Sequence, residues 1–340
     1  MIVWRRAAVA AAIALGLLGA PRLAEAQSTG ITVFRIAYLT ADSLRATICG
    51  RDPTNPAFLG LRDGLRELGY VEGVQIAIEC RSAEGQYDRL PALARELLDA
   101  KPHVIVASAA PASLAVKAAT TTVPIVSVYT ADPVGLGIVS NMARPGGNVT
   151  GISALAADYV AKSLQLLNET APQATRIAVL GHRPNPTFAV YRRLLNPAAS
   201  TLGVRLDYRE MHSVPDIENQ IAAVARSGIG AVLVMHQPFT FTPQNRTLFV
   251  EALGKRRLPA MFGSREAVEA GGLMSYAVSV VEVFRRSAVY VDKILKGARP
   301  GDLPVEQPTK FELAVNRKTA RTLGISIPAS VLARAEWVIE

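Results

Sequence analysis

His103-Val104-Ile105-Val106-Ala107 is followed by the helix-period segment Ala112 to Ala119 and then by Ile125-Val126-Ser127-Val128-Tyr129. Two apolar runs of strand length with a helix between them read as neighbouring parallel strands, buried on both faces and joined by a crossover. The rhythm extends upstream. Phe34 to Leu39 and Gln75 to Glu79 read as strands, and Arg89 to Ala100 as a helix. Ala57 to Leu68 carries Phe58, Leu61, Leu65 and Leu68 on one helical stripe ended by Gly69. Pro145-Gly146-Gly147-Asn148 then breaks the pattern before Val149-Thr150-Gly151.

Beyond Gly151 the alternation restarts. Strands are expected at Arg176–Leu180, Val204–Tyr208, Ala231–Met235, Pro259–Phe262 and Leu273–Ala277. Helices are expected at Tyr159–Leu167, Phe188–Leu202, Ile217–Ala225, a segment ending over Leu248–Gly254, and Val281–Leu295. Two such runs predict an α/β chain of two doubly wound parallel-sheet lobes with a cleft between them. Residues 31–150 plus 276–305 are assigned to the first lobe, and 151–275 plus 306–340 to the second. The Pro- and Gly-containing stretch Pro300 to Pro308 reads as a further crossing, which makes the hinge multi-stranded.

The amino terminus has the grammar of an export signal. Arg5 and Arg6 precede an apolar run from Ala7 to Ala20, and Ala24-Glu25-Ala26 is a small-x-small cleavage site. Residues 1–26 are therefore expected to be removed and the mature chain, from about Gln27, to be free in the periplasm. The apolar run is too short to span a bilayer. The net charge is +9 at pH 7, but the basic residues are dispersed and lack a basic-aromatic cluster, so a solvated surface is expected and no nucleic acid. Cys49 and Cys80 are the two cysteines; in an oxidising compartment the pair suggests a disulfide, with two separate buried thiols as the alternative.

Enzymatic signatures are missing. Gly135-Leu136-Gly137-Ile138-Val139-Ser140 lacks the third glycine of a dinucleotide loop, and Gly60, Gly64 and Gly69 fall in or at the end of a helix. No GxSxG, Walker A or HExxH occurs, and His103, His182, His212 and His236 have no metal-ligand spacing. No catalytic residue, metal or cofactor is expected.

Several stretches carry a family resemblance. They are Gly64-Leu65-Arg66-Glu67-Leu68-Gly69-Tyr70-Val71-Glu72-Gly73, Tyr87-Asp88-Arg89-Leu90-Pro91, Asp132-Pro133-Val134-Gly135-Leu136-Gly137, Ala143-Arg144-Pro145-Gly146-Gly147-Asn148-Val149-Thr150-Gly151, and the tail from Leu303 to Leu313. Together they resemble the ABC-transporter substrate-binding proteins of the tryptophan/tyrosine-binding type, with the type I periplasmic-binding-protein fold. The resemblance implies a monomeric exported receptor that closes on a small molecule and delivers it to a membrane ABC permease. A sensory module presenting ligand to a membrane kinase is the alternative use of the same fold. Characterised relatives bind aromatic amino acids and tend to end the strand equivalent to Ala231–Met235 with Asp-Asn, suited to a ligand ammonium. This chain reads His236-Gln237-Pro238-Phe239 there and loses that partner.

In doubly wound sheets, ligands bind beyond the carboxyl ends of the strands. That rule selects Ser43 after the first strand, and Ser108 and Ala109 after the third, where a helix beginning near Pro111 offers free N–H groups to a carboxylate. It also selects Tyr129 and Asp132 after the fourth strand. In the second lobe it selects Asn185, His236, Phe239 and Ser264, with Tyr276 near a crossover. Phe239 and Phe241, in a loop holding Pro238 and Pro243, are expected to face the cleft.

Overall fold

The computed structural model describes residues 33–41, 44–49, 52–154 and 157–340. The export signal expected over 1–26 and the candidate Ser43 lie outside them. The first half runs β1 (Phe34–Thr40), α1 (Arg45–Ile48), α2 (Pro56–Glu67), β2 (Ile76–Ser82), α3 (Leu90–Asp99), β3 (Val104–Ser108), α4 (Ala109–Ala119), β4 (Ile125–Thr130) and β5 (Val149–Ser153). Its five strands are ordered β2-β1-β3-β4-β5, and every pairing is parallel. Successive side chains alternate between two cores. Tyr38, Val106 and Val126 face one layer of helices, while Leu39, Ile105 and Ile125 face the other. Fully burying each such aliphatic side chain contributes roughly 1.5–3 kcal/mol.

The second half continues with α5 (Ala157–Thr170), β6 (Arg176–His182), α6 (Thr187–Leu202), β7 (Arg205–Met211), α7 (Pro215–Arg226), β8 (Ala231–Val234), α8 (Pro238–Phe241), α9 (Pro243–Lys255), β9 (Ala260–Phe262), α10 (Arg265–Glu269) and β10 (Met274–Ala277). The chain then returns through α11 (Val280–Leu295), whose Val283, Phe284, Ala288 and Val291 pack in the core of the first half. It comes back as β11 (Glu312–Asn316), α12 (Arg317–Leu323), α13 (Ala329–Leu332) and β12 (Trp337–Ile339). The second sheet is ordered β12-β11-β10-β9-β8-β6-β7.

One pairing departs from the expected parallel pattern: β10 and β11 run antiparallel. They are not consecutive in a βαβ unit, because the segment between them visits the first half, so no crossover dictates their relative direction. The halves are connected three times, after Ser153, after Ala277 and between Glu306 and Glu312. The expected boundary at 150/151 therefore falls inside β5, and Tyr276 pairs within the second sheet. The Pro145–Asn148 turn leads into the last strand of the first sheet and not out of it.

Why α2 holds its place is written in its composition. Asn55 Oδ1 accepts the Phe58 N–H at 3.0 Å, and Pro56 occupies the first helical turn, where its missing N–H costs nothing. Gly60 and Gly64 let α11 approach closely. A β-carbon at either position would stand 2.4 Å from a carbonyl oxygen of α11, Val281 and Arg285 respectively. Cys49 and Cys80 are joined by a disulfide, with their Cα atoms 5.9 Å apart. It ties the end of α1 to β2 and closes a loop of 31 residues, which on the chain-entropy account contributes roughly 3 kcal/mol. Among the described residues, no helix is long and apolar enough to cross a membrane.

Candidate functional site

The carboxyl ends of β1, β3 and β4 in one half and of β6, β8 and β9 in the other open onto one cavity of about 270 Å³. Its walls are aromatic. Tyr38, Tyr129 and Phe284 come from the first half, and Tyr159, Tyr191, His236 and Phe241 from the second. The halves touch across it. The Tyr129 and His236 rings lie 4.7 Å apart, Tyr87 meets His182 edge-on at 5.1 Å, and Phe241 packs against the first half's core. Outside the cavity, Arg193 of α6 pairs with Asp132. These contacts make the arrangement a shut one.

The first half presents its strand ends under strain. Ala109, Tyr129 and Asp132 have φ of 66°, 62° and 44°, the left-handed region that residues with a β-carbon avoid. Each costs of order 1–3 kcal/mol and persists because the surrounding structure enforces it. A buried chain of hydroxyls does part of this: Ser113 Oγ to Ser127 Oγ at 2.8 Å, then Ser127 Oγ to Thr130 Oγ1 at 2.8 Å. Ser113 Oγ also donates to the Ala109 carbonyl at 2.9 Å and so holds the first turn of α4. Ser108, the residue before α4, makes no side-chain cap, and it lines the cavity with Ala109. The first N–H groups of α4 have no partners within the helix, which gives the cavity an electropositive, donor-rich end.

In the second half, His236 Nδ1 donates to the Gly263 carbonyl at 2.6 Å, which leaves Nε2 as the acceptor. Burial pushes the pKa of His236 down to about 4, so the ring is neutral at pH 7. Tyr191 donates its hydroxyl to the His236 carbonyl at 2.9 Å. Burial, with Tyr159, Tyr191 and Glu266 nearby, raises the Tyr129 pKa well above its ordinary value and keeps the phenol a donor. Two charged side chains line the cavity, Glu266 of α10 and Arg246 of α9. Neither has an ion-pair or hydrogen-bond partner among the described residues.

Five residues selected from sequence meet at this cavity: Ser108, Ala109, Tyr129, Asn185 and His236. Four others stand elsewhere. Asp132 accepts the Gly135 N–H at 2.8 Å and pairs with Arg193 beside the cavity. Phe239 is 5 % exposed and stacks on His182 at 4.3 Å inside the second half's core. Pro238 starts a helix there, and the helical turn sends Phe239 inward while Phe241 reaches the cavity. Ser264 is buried at the start of α10, and Glu266 two residues on lines the wall. Tyr276 stacks with Tyr159 at 5.9 Å and Phe311 at 5.6 Å, and of these three rings Tyr159 lines the cavity. Gln237, 1 % exposed, is used structurally, since its Oε1 accepts the His182 N–H at 2.5 Å.

Tyr38, Tyr159, Tyr191 and Arg246 escaped sequence reading. The first three sit on strand or helix stripes indistinguishable from core positions, and Arg246 lies within a helix. Glu266 had a signal, its place just past a strand end.

The sequence profile described as ABC transporter substrate binding protein matches residues 47–339. The chain belongs to that family. It is a family of solute-binding receptors and not an enzyme class. Among curated relatives of this substrate-binding chain is the tyrosine-binding protein of Clostridioides difficile (strain R20291), 22% identical over 267 residues, which are 78% of this chain and 75% of the relative. A conserved domain protein from Vibrio cholerae superposes with a TM-score of 0.82 at 27% identity, covering 90% of this chain and all of the other. A Streptococcus pneumonia ABC domain in complex with L-Trp gives a TM-score of 0.82 at 24% identity over 91% and 100% of the two chains. A ligand-free, open substrate binding protein with adhesive properties from Clostridium difficile gives 0.64 at 22%, over 90% and 99%. The fold is thus that of type I periplasmic binding proteins.

Proposed function

We propose that the chain is the exported solute receptor of an ABC importer, which captures an amino acid by closing its halves and hands it to a membrane permease from the periplasmic side. One observation carries this reading: the aromatic cavity is walled by strand ends from both halves, so a solute filling it contacts both at once. Such a solute favours the shut state by its differential affinity, and the shut form is what a permease recognises. The two halves act as lobes turning about the three connections.

The ligand's carboxylate is seated on the N–H groups at the start of α4, near Ser108 and Ala109. Its ammonium faces Glu266, which takes the place of the family's Asp-Asn pair, replaced in this chain by His236 and Gln237. Its side chain lies among Tyr129, Tyr159, Tyr191 and Phe241, with Asn185 and His236 Nε2 as polar contacts.

The test is thermal denaturation with the twenty amino acids in turn, followed by fluorophores on opposite halves. A cognate solute at 100 times its dissociation constant stabilises the fold by about 2.7 kcal/mol. It must also shorten the interlobe distance. A bound amino acid that leaves that distance unchanged defeats the receptor mechanism. Glu266→Gln is expected to weaken binding by about tenfold or more, as a desolvated charged contact is lost.

A further inference from the structure

An amino acid held by α4 and Glu266 makes no use of Arg246. Elsewhere in the second half several guanidinium groups are neutralised, Arg183 and Arg192 by Glu210, Arg176 and Arg209 by Asp207, Arg256 by Glu218 and Arg265 by Glu269. Of those without an ion pair among the described residues, Arg246 is the one that lines the cavity. It lies in the first turn of α9 and lines the cavity with Thr242 and Gln244, its Nε closed off from solvent without an acceptor. Glu266 shares the cavity but is beyond ion-pair distance, so the two charges do not cancel each other. A partly buried cation without a counterion is unfavourable, and an arginine fork is shaped for a two-oxygen acid. The positive end of the α9 dipole adds to the same side.

On the amino-acid reading above, we infer that the solute carries a second acidic group, which Arg246 holds in a bidentate contact: an acidic amino acid, or a planar one with an acidic substituent. The cavity then matches two anionic groups, at α4 and Arg246, against one cationic group at Glu266. Arg246 becomes the residue that separates this chain's solute from a neutral aromatic amino acid.

Two isosteric pairs test this by calorimetry on the purified chain: L-glutamate against L-glutamine, and 4-carboxy-L-phenylalanine against 4-carbamoyl-L-phenylalanine. In at least one pair the acid is expected to bind about tenfold or more tightly than its amide. Arg246→Met is expected to abolish that preference by weakening the acid about tenfold or more relative to its amide, and Arg246→Lys to keep part of it, since the charge stays and the fork is lost. Ligand-free melting of both variants separates a folding defect from a binding one. Equal binding of acid and amide in both pairs overturns the inference, as does an equal loss of both in Arg246→Met with unchanged melting. Should the neutral amino acids L-tryptophan or L-tyrosine bind as well as the better acid, Arg246 is no determinant, although the amino-acid reading survives. If none of the six solutes binds, the inference falls, and the screen of all twenty amino acids decides the amino-acid reading separately.

Discussion

His236 shows how one side chain can be fixed by packing and still line the cavity. Its Nδ1 proton is committed to Gly263, its face lies against Tyr129 and Phe241, and its Nε2 is left to the cavity. Burial lowers its pKa to about 4, and burial does the same for His182. The folded state therefore binds fewer protons than the unfolded chain, whose histidines titrate near 6.5. Their contribution is complete above pH 6.5 and is lost as pH falls through the window toward 4, up to roughly 3 kcal/mol for His236. Melting temperature should drop between pH 7 and pH 4.5, and His236→Gln should flatten that dependence. A wild-type melting temperature unchanged across the window would rule this out.

Between elements, α2 and α11 pack closely, which brings Gly60 and Gly64 against the carbonyls of Val281 and Arg285. Gly60→Ala places a methyl where backbone oxygen already stands, so a loss of roughly 1–3 kcal/mol or more is expected. Gly254 supplies the contrast, since a β-carbon there meets nothing within 4 Å near the end of α9. Gly254→Ala is expected to gain roughly 0.5–1 kcal/mol from helix propensity. Denaturant melts of the two variants check both signs, and equal effects would show that the α2–α11 packing is looser than described. The spacing of Gly60, Gly64 and Gly69, which is no phosphate cradle, is thus explained at its first two positions by helix packing.

Over the molecule, three connections pass between the halves, and an aromatic stack gathers residues beside each. Tyr159 follows the first, Tyr276 precedes the second and Phe311 ends the third, with ring separations of 5.2–5.9 Å. Tyr159 also lines the cavity, so the wall and the connections share a ring. Away from the aromatic stack, Arg193 and Asp132 form an exposed ion pair between the halves. Such pairs contribute a few tenths to about 1 kcal/mol and weaken with salt. Arg193→Ala is expected to raise the open population by up to about fivefold, read as a longer interlobe distance without ligand. Arg192→Ala, which removes a contact to Glu210 within one half, serves as the control. No change in Arg193→Ala, or the same change in both, would mean the pair does not latch the closed form.

The alternation of strands and helices, the two-sheet division, a cavity at the strand ends, and Ser108, Ala109, Tyr129, Asn185 and His236 as its neighbours were all legible in the primary structure. They follow from local periodicity and from a general rule of doubly wound sheets, neither of which needs contacts between distant residues. The antiparallel β10–β11 pair, the inward turn of Phe239, the place of Tyr159 and Tyr191 on the cavity wall and the unpartnered Arg246 were not legible. Each depends on which face of an element meets which part of the other half, and a helix stripe or a charge in sequence carries no record of that until the chain has crossed three times and closed.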